Sequence, residues 1–532
     1  MNHSFFSLAL FGLATTICAC SEHAGEPTTE TKYVELRRGL GGEPASLDPA
    51  TATDTFSFQV IQDVYEGLTR ETAAGEVVPA VAASWTVDPD GKTYTFQLRS
   101  DAFWSNGKPV RAEEFVSSWQ RVLDPKQSST VSNELRLIAG ATAILSGKAQ
   151  PTSLGVTALS SNILIVKLEQ PAPYFPQLLA HSAAFPVYSN SSAHSHESNT
   201  WVSNGPYVLS SWQPGTSLEL VRNVEYWDRA NVKIQHVSYQ IAPDQNAQFA
   251  AYRAGQLDLT DTVPTNAVAK IRAERPQELI IAPYSATAYY GLNITDPPLQ
   301  GNLKLRKALS MAIDRRRIVT ALSLGQVSAY GFVPPGTWNY DSQKWDWERL
   351  SDSERIAEAR RLYSQAGYSI SVPLRLRLLL NSNPSIKQTA IMVGAMWKET
   401  LGIEAIVTDE EFRVFLQSRH DRQKWDVLRL AWNADYNDAT SFLDIFRTKS
   451  SNNDTGYANP AFDKLLDDAA NTADPAIRRG LLESAERILL ADYPGIPLYF
   501  LVSKRLVKPY VLGVKPTLLD RLGSKELIVL PH

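Results

Sequence analysis

The chain has 532 residues, with 52 Lys and Arg against 56 Asp and Glu and a formal net charge of -4. That balance argues against nucleic acid as a partner, because phosphate binding needs a basic surface that releases counterions. With 44% hydrophobic and 20% charged residues the composition is that of a globular protein, and its length exceeds what one core supports, so two or three lobes are expected.

The first element is a leader. Phe5 to Ala19 is a nearly uninterrupted apolar run, too short to span a bilayer and followed by polar sequence. It ends in Ile17-Cys18-Ala19-Cys20, which resembles a bacterial lipobox, so residues 1–20 are predicted to be a lipoprotein signal with Cys20 lipidated, the alternative being plain secretion with cleavage nearby. The stretch Met-Asn-His-Ser ahead of it has no Lys or Arg, a departure from the usual basic start. Both cysteines of the chain lie in this segment, so no internal disulfide is expected in the mature protein. Residues 21–32 are polar, with Gly and Pro, and are expected to form a flexible tether. No later stretch has the apolar length of a membrane span.

Beyond the tether, helices and strands alternate. Tyr33 to Arg38 alternates like a strand and leads into the Gly-rich turn at Gly39-Leu40-Gly41-Gly42. Thr55 to Gly67 has helical spacing, with Phe58, Ile61 and Tyr65 on one face. Thr93 to Arg99 is a strand with one buried face, Trp104 to Pro109 a turn, and Ala112 to Val122 a helix with Glu113 and Glu114 at its positive end. Further strands are expected at 162–168, 217–222, 372–380 and 403–408, and from Gly495 to Lys508. Helices are expected at Leu303–Leu324, Asp352–Ala366, Ile386–Leu401 and Arg478–Ala491. No repeat of 20–50 residues is present, so the class is α/β or α+β with mixed sheets.

Motifs for common chemistries are missing. There is no phosphate-binding P-loop, no nucleophile elbow, no His-Glu-x-x-His helix and no Cys-x-x-Cys pair. The run Gly39 to Gly42 meets Glu-Pro instead of opening a helix, so it reads as a turn. His194-Ser195-His196-Glu197 lies in a Ser- and Asn-rich loop without a Cys partner and reads as solvated loop, not a metal site. No catalytic residue, cofactor or metal is expected. A carboxylate-based periplasmic hydrolase leaves no local signature and stays as the enzyme alternative.

Nine segments, taken in chain order, resemble the oligopeptide-binding proteins of ABC importers, the solute-binding family 5 cluster that also takes dipeptides, nickel and murein peptides. They are Glu43-Pro-Ala-Ser-Leu-Asp-Pro49, Tyr65-Glu-Gly-Leu68, Val81-Ala-Ala-Ser-Trp85, Thr95-Phe-Gln-Leu-Arg99, Trp104-Ser-Asn-Gly-Lys-Pro-Val110, Ser118-Trp-Gln-Arg121, Asn204-Gly-Pro-Tyr207, Arg306 through Arg315, and Trp432-Asn-Ala-Asp-Tyr-Asn437. Each is weak alone, and several are turns or packing points. The resemblance implies an α/β, two-lobed clam-shell of the type II periplasmic binding-protein kind with an extra inserted domain. It places a discontinuous lobe I at 33–66, 189–285 and 503–532, the inserted domain at 67–188 and lobe III at 286–502.

The resemblance also implies a periplasmic, monomeric protein. It binds short peptides in an inter-lobe cleft and delivers them to a membrane permease and ATPase. Murein peptides or another amine-bearing solute are the alternative cargo. A protein blind to side chains must read the peptide backbone and its two terminal charges. Asp435, just after the apolar strand Val427 to Trp432, matches the family's amine-binding aspartate. Arg429 and Arg419 match basic positions for the peptide carboxylate, with Lys387 a third candidate; Arg429 lies inside an apolar strand, where a cation needs a partner. Trp432 and Asn433 would line the wall beside the ligand backbone, and Thr53 and Thr55 match an edge segment that pairs with it. At Val131, Ile386 and Leu501 the family's oligopeptide binders carry Tyr, His and Tyr, so an altered length preference or a more apolar side-chain pocket is expected.

Overall fold

The computed structural model describes residues 34–532, apart from 53, 73–74, 128, 130, 189–200, 370 and 372. Cys20, the tether, Thr53 and the His194–Glu197 loop therefore lie outside the described residues.

The first strand forms at Glu35–Leu40 and pairs in parallel with the distant strand His236–Ile241. Ser217–Arg222 and Tyr207–Gln213 extend that sheet antiparallel. Between its first and later strands the chain makes a separate four-stranded antiparallel sheet, in the order Ala82–Val87, Thr93–Leu98, Ile163–Lys167, Val156–Ser160. Alternation dictates its faces: Tyr94, Phe96 and Leu98 are buried while Gln97 turns out to solvent. The helix Ala112–Leu123 buries Phe115, Trp119 and Leu123, and the Glu114 carboxylate accepts the Arg111 N–H at its start.

The largest sheet has six strands, in the order Val327–Ser328, Gly495–Leu506, Leu279–Leu292, Val427–Asn433, Arg375–Asn381, Glu404–Glu410. Arg375–Asn381 is parallel to both of its neighbours, and the remaining pairs are antiparallel. The parallel step to Glu404–Glu410 needs a crossover, supplied by the helix Pro384–Leu401. Asn383 caps its start by accepting the N–H groups of Ser385 and Ile386, and Gly402 closes it at φ +76°, a left-handed conformation that glycine adopts without strain.

Two apolar cores result. One collects side chains from 36–239 together with Leu259 and 507–529, so the first sheet and the antiparallel insert share it. The other spans 252–506. The long strands Leu279–Leu292 and Gly495–Leu506 run side by side, with a break in register between Pro283 and Thr287; most of their buried side chains belong to the second core, and Ile280 packs against the first. This is the two-lobed plan with mixed sheets.

One expected helix is two. The run from Leu303 divides into Leu303–Met311 and Arg315–Leu322, because Asp314 accepts the Arg317 N–H at 2.9 Å and starts a second helix. Arg315 turns inward there, donating to the Pro497 and Ser310 carbonyls, with the Tyr330, Trp345 and Trp347 rings around its guanidinium. The helix Pro460–Ala470 was not anticipated. Gly41 follows the first strand in a tight turn, where an added Cβ would meet the Asp261 carboxylate and the Phe56 ring. Among the described residues no helix is long and apolar enough to cross a membrane, and no group of three or more His, Cys, Asp or Glu could hold a metal ion.

Candidate functional site

Val427–Asn433 is an inner strand of the six-stranded sheet, with Asn433 opposite Ala286 at its end. The chain then leaves the sheet. The Ala434 N–H donates to the Ser285 carbonyl at 2.8 Å and the Asp435 N–H to Ser441 Oγ at 3.0 Å. Asp438 ties down the loop: it accepts the Thr440 N–H and hydroxyl, and it takes Arg478 in a bidentate pair at 2.7 and 2.8 Å, with both side chains buried. The Arg478 guanidinium lies 4.6 Å from the centre of the Tyr174 ring, and Tyr174 stacks on Tyr436 with centroids 5.4 Å apart. Asp435 thus projects from a backbone fixed on several sides.

Two aspartates three positions apart have opposite surroundings. Asp438 is fully neutralised inside the protein. The Asp435 carboxylate has no hydrogen bond and no ion pair among the described residues; its surroundings only push its pKa up, through desolvation by the protein atoms around it. The residue is exposed to solvent, and it borders a cavity of about 580 Å³. Trp432, Asp435 and Tyr436 line that cavity together with Glu134, Gln170 and Tyr174 of the antiparallel insert. The Trp432 indole N–H is buried without an acceptor. An uncompensated carboxylate, an orphaned donor and an opening between two parts of the fold suit a guest that brings an ammonium and a carbonyl.

The other residues singled out from the sequence are spread more widely. Arg429 sits in the same strand opposite Tyr290, half-buried, with Asn381 Oδ1 at 3.5 Å and the Tyr499 hydroxyl as polar partners. Burial lowers its pKa, no carboxylate pairs with it among the described residues, and it does not itself border the cavity. Asn433 is exposed at the strand end. Arg419, expected as a position for the peptide carboxylate, has its guanidinium taken by Asp454 at 2.7 and 3.3 Å, and it does not border the cavity. Lys387 is likewise held by Asp409 at 3.2 Å. Ile386 is buried in the second core and Leu501 packs against it. Thr55 is the exposed first residue of the helix Thr55–Val64, so its backbone is helical and not an extended edge; Asp54 sets this by accepting the Ser57 N–H.

Val131 is buried, and its carbonyl accepts the Glu134 N–H at 3.2 Å. The side chain of that turn which borders the cavity is Glu134, a residue that sequence reasoning passed over, as it did Tyr174. A lone Glu in a Ser- and Asn-rich turn carries no local signal; only the fold brings it to the same cavity as position 435. A second cavity, about 430 Å³, lies beside Tyr65 and Arg70. Its acids are already engaged: Glu66 by the Tyr226 and Trp227 donors, Glu526 by Arg70 at 3.2 Å and Glu71 by Arg521 at 3.8 Å. The Asp435 cavity is therefore the candidate site.

Known proteins share this architecture. Residues 76–454 match the family described as bacterial extracellular solute-binding proteins, family 5 (middle). The periplasmic murein peptide-binding protein MppA of Escherichia coli (strain K12) is 36% identical over 524 residues, 96% of each chain. Its unliganded open form has a TM-score of 0.86 at 35% identity, over 94% of this chain and 98% of that one. The periplasmic oligopeptide-binding protein OppA of Salmonella typhimurium is 37% identical over 510 residues, 93% of each chain. The probable deoxycholate-binding periplasmic protein YgiS of Escherichia coli (strain K12) is 35% identical over 535 residues, 98% of this chain and 99% of that one. Relatives this similar carry names with different ligands, so the ligand must be argued from the cleft itself. This chain belongs to family 5 of the bacterial extracellular solute-binding proteins and has their two-lobed, type II fold with an inserted domain.

Proposed function

We propose that the protein is the periplasmic binding component of an ABC importer and captures short peptides with a free amino end, murein peptides among the candidates. The observation that carries this is the Asp435 carboxylate, without a counter-charge among the described residues and open to a cavity. An ammonium at that position supplies the missing charge and up to three donors. The Trp432 N–H offers a donor to a ligand carbonyl, and Arg429, with no acid paired to it among the described residues, is the candidate for the far carboxylate. The likeness to MppA and OppA supports a peptide over a metal complex or a sugar. A steroid acid of the kind named for YgiS has no ammonium and would leave Asp435 desolvated and unpaired, at a cost.

Contacts from both sides of the cleft favour the shut arrangement, so binding closes the lobes, and the membrane permease recognises the closed form. The protein is read as a monomer held to a membrane through lipidated Cys20; several acyl chains are needed for stable anchoring. Native mass spectrometry of protein purified without denaturation is expected to show a bound series of peptide masses. Spectra showing steroid or sugar adducts, or free amino acids accumulating from added tripeptide, would overturn the assignment.

A further inference from the structure

The cavity holds two carboxylates without side-chain partners among the described residues, and they come from different parts of the fold. Asp435 follows the inner strand of the six-stranded sheet. Glu134 stands on the short 3-10 turn Ser132–Leu135 of the antiparallel insert, a turn fixed by Leu135 and Ile138 in the first core. The third acid of the cavity, Asp444, is already paired with Arg447 at 2.7 Å. Glu134 and Asp435 are close enough for the charge of one to act on the other. Burial pushes the Glu134 carboxyl up to about 7, Asp435 adds to that rise, and Arg521 and Arg136 oppose it. Arg136 and Lys449 also border the cavity, but neither they nor Arg521 form an ion pair with Glu134 among the described residues, so one ammonium at Asp435 leaves Glu134 without a direct counter-charge.

Resting on the reading of Asp435 as the ammonium receptor, we propose that Glu134 receives a second positive charge, and that the cleft selects peptides whose first residue carries a cationic side chain beside its α-ammonium. A lysine, an arginine or a diamino acid at the amino end fits; the same side chain at the carboxyl end does not reach Glu134. The charges that bear on Glu134 are Asp435 from the loop after the inner strand, Arg136 just after its own turn and Arg521 from the C-terminal segment. An arriving cation stabilises the Glu134 carboxylate and lowers its pKa, so binding near pH 7 releases a proton. The preference then grows as pH rises from 6 to 8.

The test is calorimetry with Lys-Ala-Ala, Ala-Ala-Ala and Ala-Ala-Lys at pH 7.5, on the full chain and on Glu134→Gln, with thermal melts to check folding. The wild type is expected to bind Lys-Ala-Ala about tenfold tighter than either other peptide. Glu134→Gln brings that ratio near one, and Glu134→Asp keeps part of it. Repeating the Lys-Ala-Ala titration at pH 7 in buffers of different ionisation enthalpy is expected to show proton release in the wild type and none in Glu134→Gln. Equal wild-type affinities for the three peptides, or a ratio that survives Glu134→Gln, overturns the proposal while leaving Asp435 as the amine receptor. Failure of all three to bind removes the Asp435 reading and this one with it.

Discussion

Replacing Asp435 with Asn is expected to weaken binding of Ala-Ala-Ala by roughly 30- to 150-fold, the loss of about 2–3 kcal/mol from a hydrogen-bonded charge. Asn keeps the shape and an acceptor but removes the charge that the ammonium neutralises. The fold should not suffer, because the Asp435 carboxylate bonds to nothing within the described protein; only its N–H is used, and Asn retains that. Calorimetry checks the affinity and a thermal melt checks the fold. The pH dependence follows from the same pair. Desolvation raises the Asp435 pKa, so an arriving ammonium favours the ionised form. Affinity is full above that pKa and falls as pH drops through it. It falls again above about pH 8, where a peptide's α-amino group loses its proton. The Asn variant should lose the acid limb that belongs to position 435 and keep the alkaline one.

Three residues on, the same kind of side chain has a different task and a different penalty. Asp438→Ala is expected to cost about 3–5 kcal/mol of stability, because it leaves the Arg478 guanidinium buried without its counter-charge. The loss falls on the part of the protein built around the second core, so it should lower the midpoint of that lobe's transition in urea. Arg478 also lies over Tyr174, which stacks on Tyr436, so the loop that presents Asp435 loosens as well. Removing both charges with an apolar replacement, Asp438→Ala with Arg478→Met, should recover much of the loss. A single variant costing less than about 1 kcal/mol, or a double variant no better than the single, would contradict this account of the pair.

The two aspartates mark how far the sequence could be read. The alternation of Thr93–Leu98, the turn at Trp104–Pro109 and the caps at Gly367 and Gly402 are local, and each could be read from neighbouring residues. The position of Asp435 just after an apolar strand, in a recognisable run of six residues, could be read in the same way. What was not legible is set by residues far apart in the chain. Arg419 looked available until the fold brought Asp454 to it, 35 positions away. Lys387 meets Asp409 in the same manner. The helix from Leu303 looked continuous because its apolar spacing carries past Asp314, whereas the packing of Arg315 among three aromatic rings favours a break. Glu134 could not be placed at all without knowing that it lines the same cavity as residue 435.

That cavity also bears on the expected change in specificity. Val131 and Ile386 are buried, and Leu501 packs against the core. None of the three borders the Asp435 cavity, where the polar group beside Val131 is Glu134. On the proposed function, selectivity at this end of the cleft would rest on Asp435 and Glu134.

The most direct test compares one peptide in two forms on unmodified protein: Ala-Ala-Ala with a free amino end against the same peptide N-acetylated. Acetylation removes the positive charge and leaves the rest of the backbone. An affinity lower by a factor similar to that of Asp435→Asn, with no further loss when the acetylated peptide meets that variant, is the predicted result. Equal affinity for the two forms would contradict the pairing of Asp435 with a peptide's amino end.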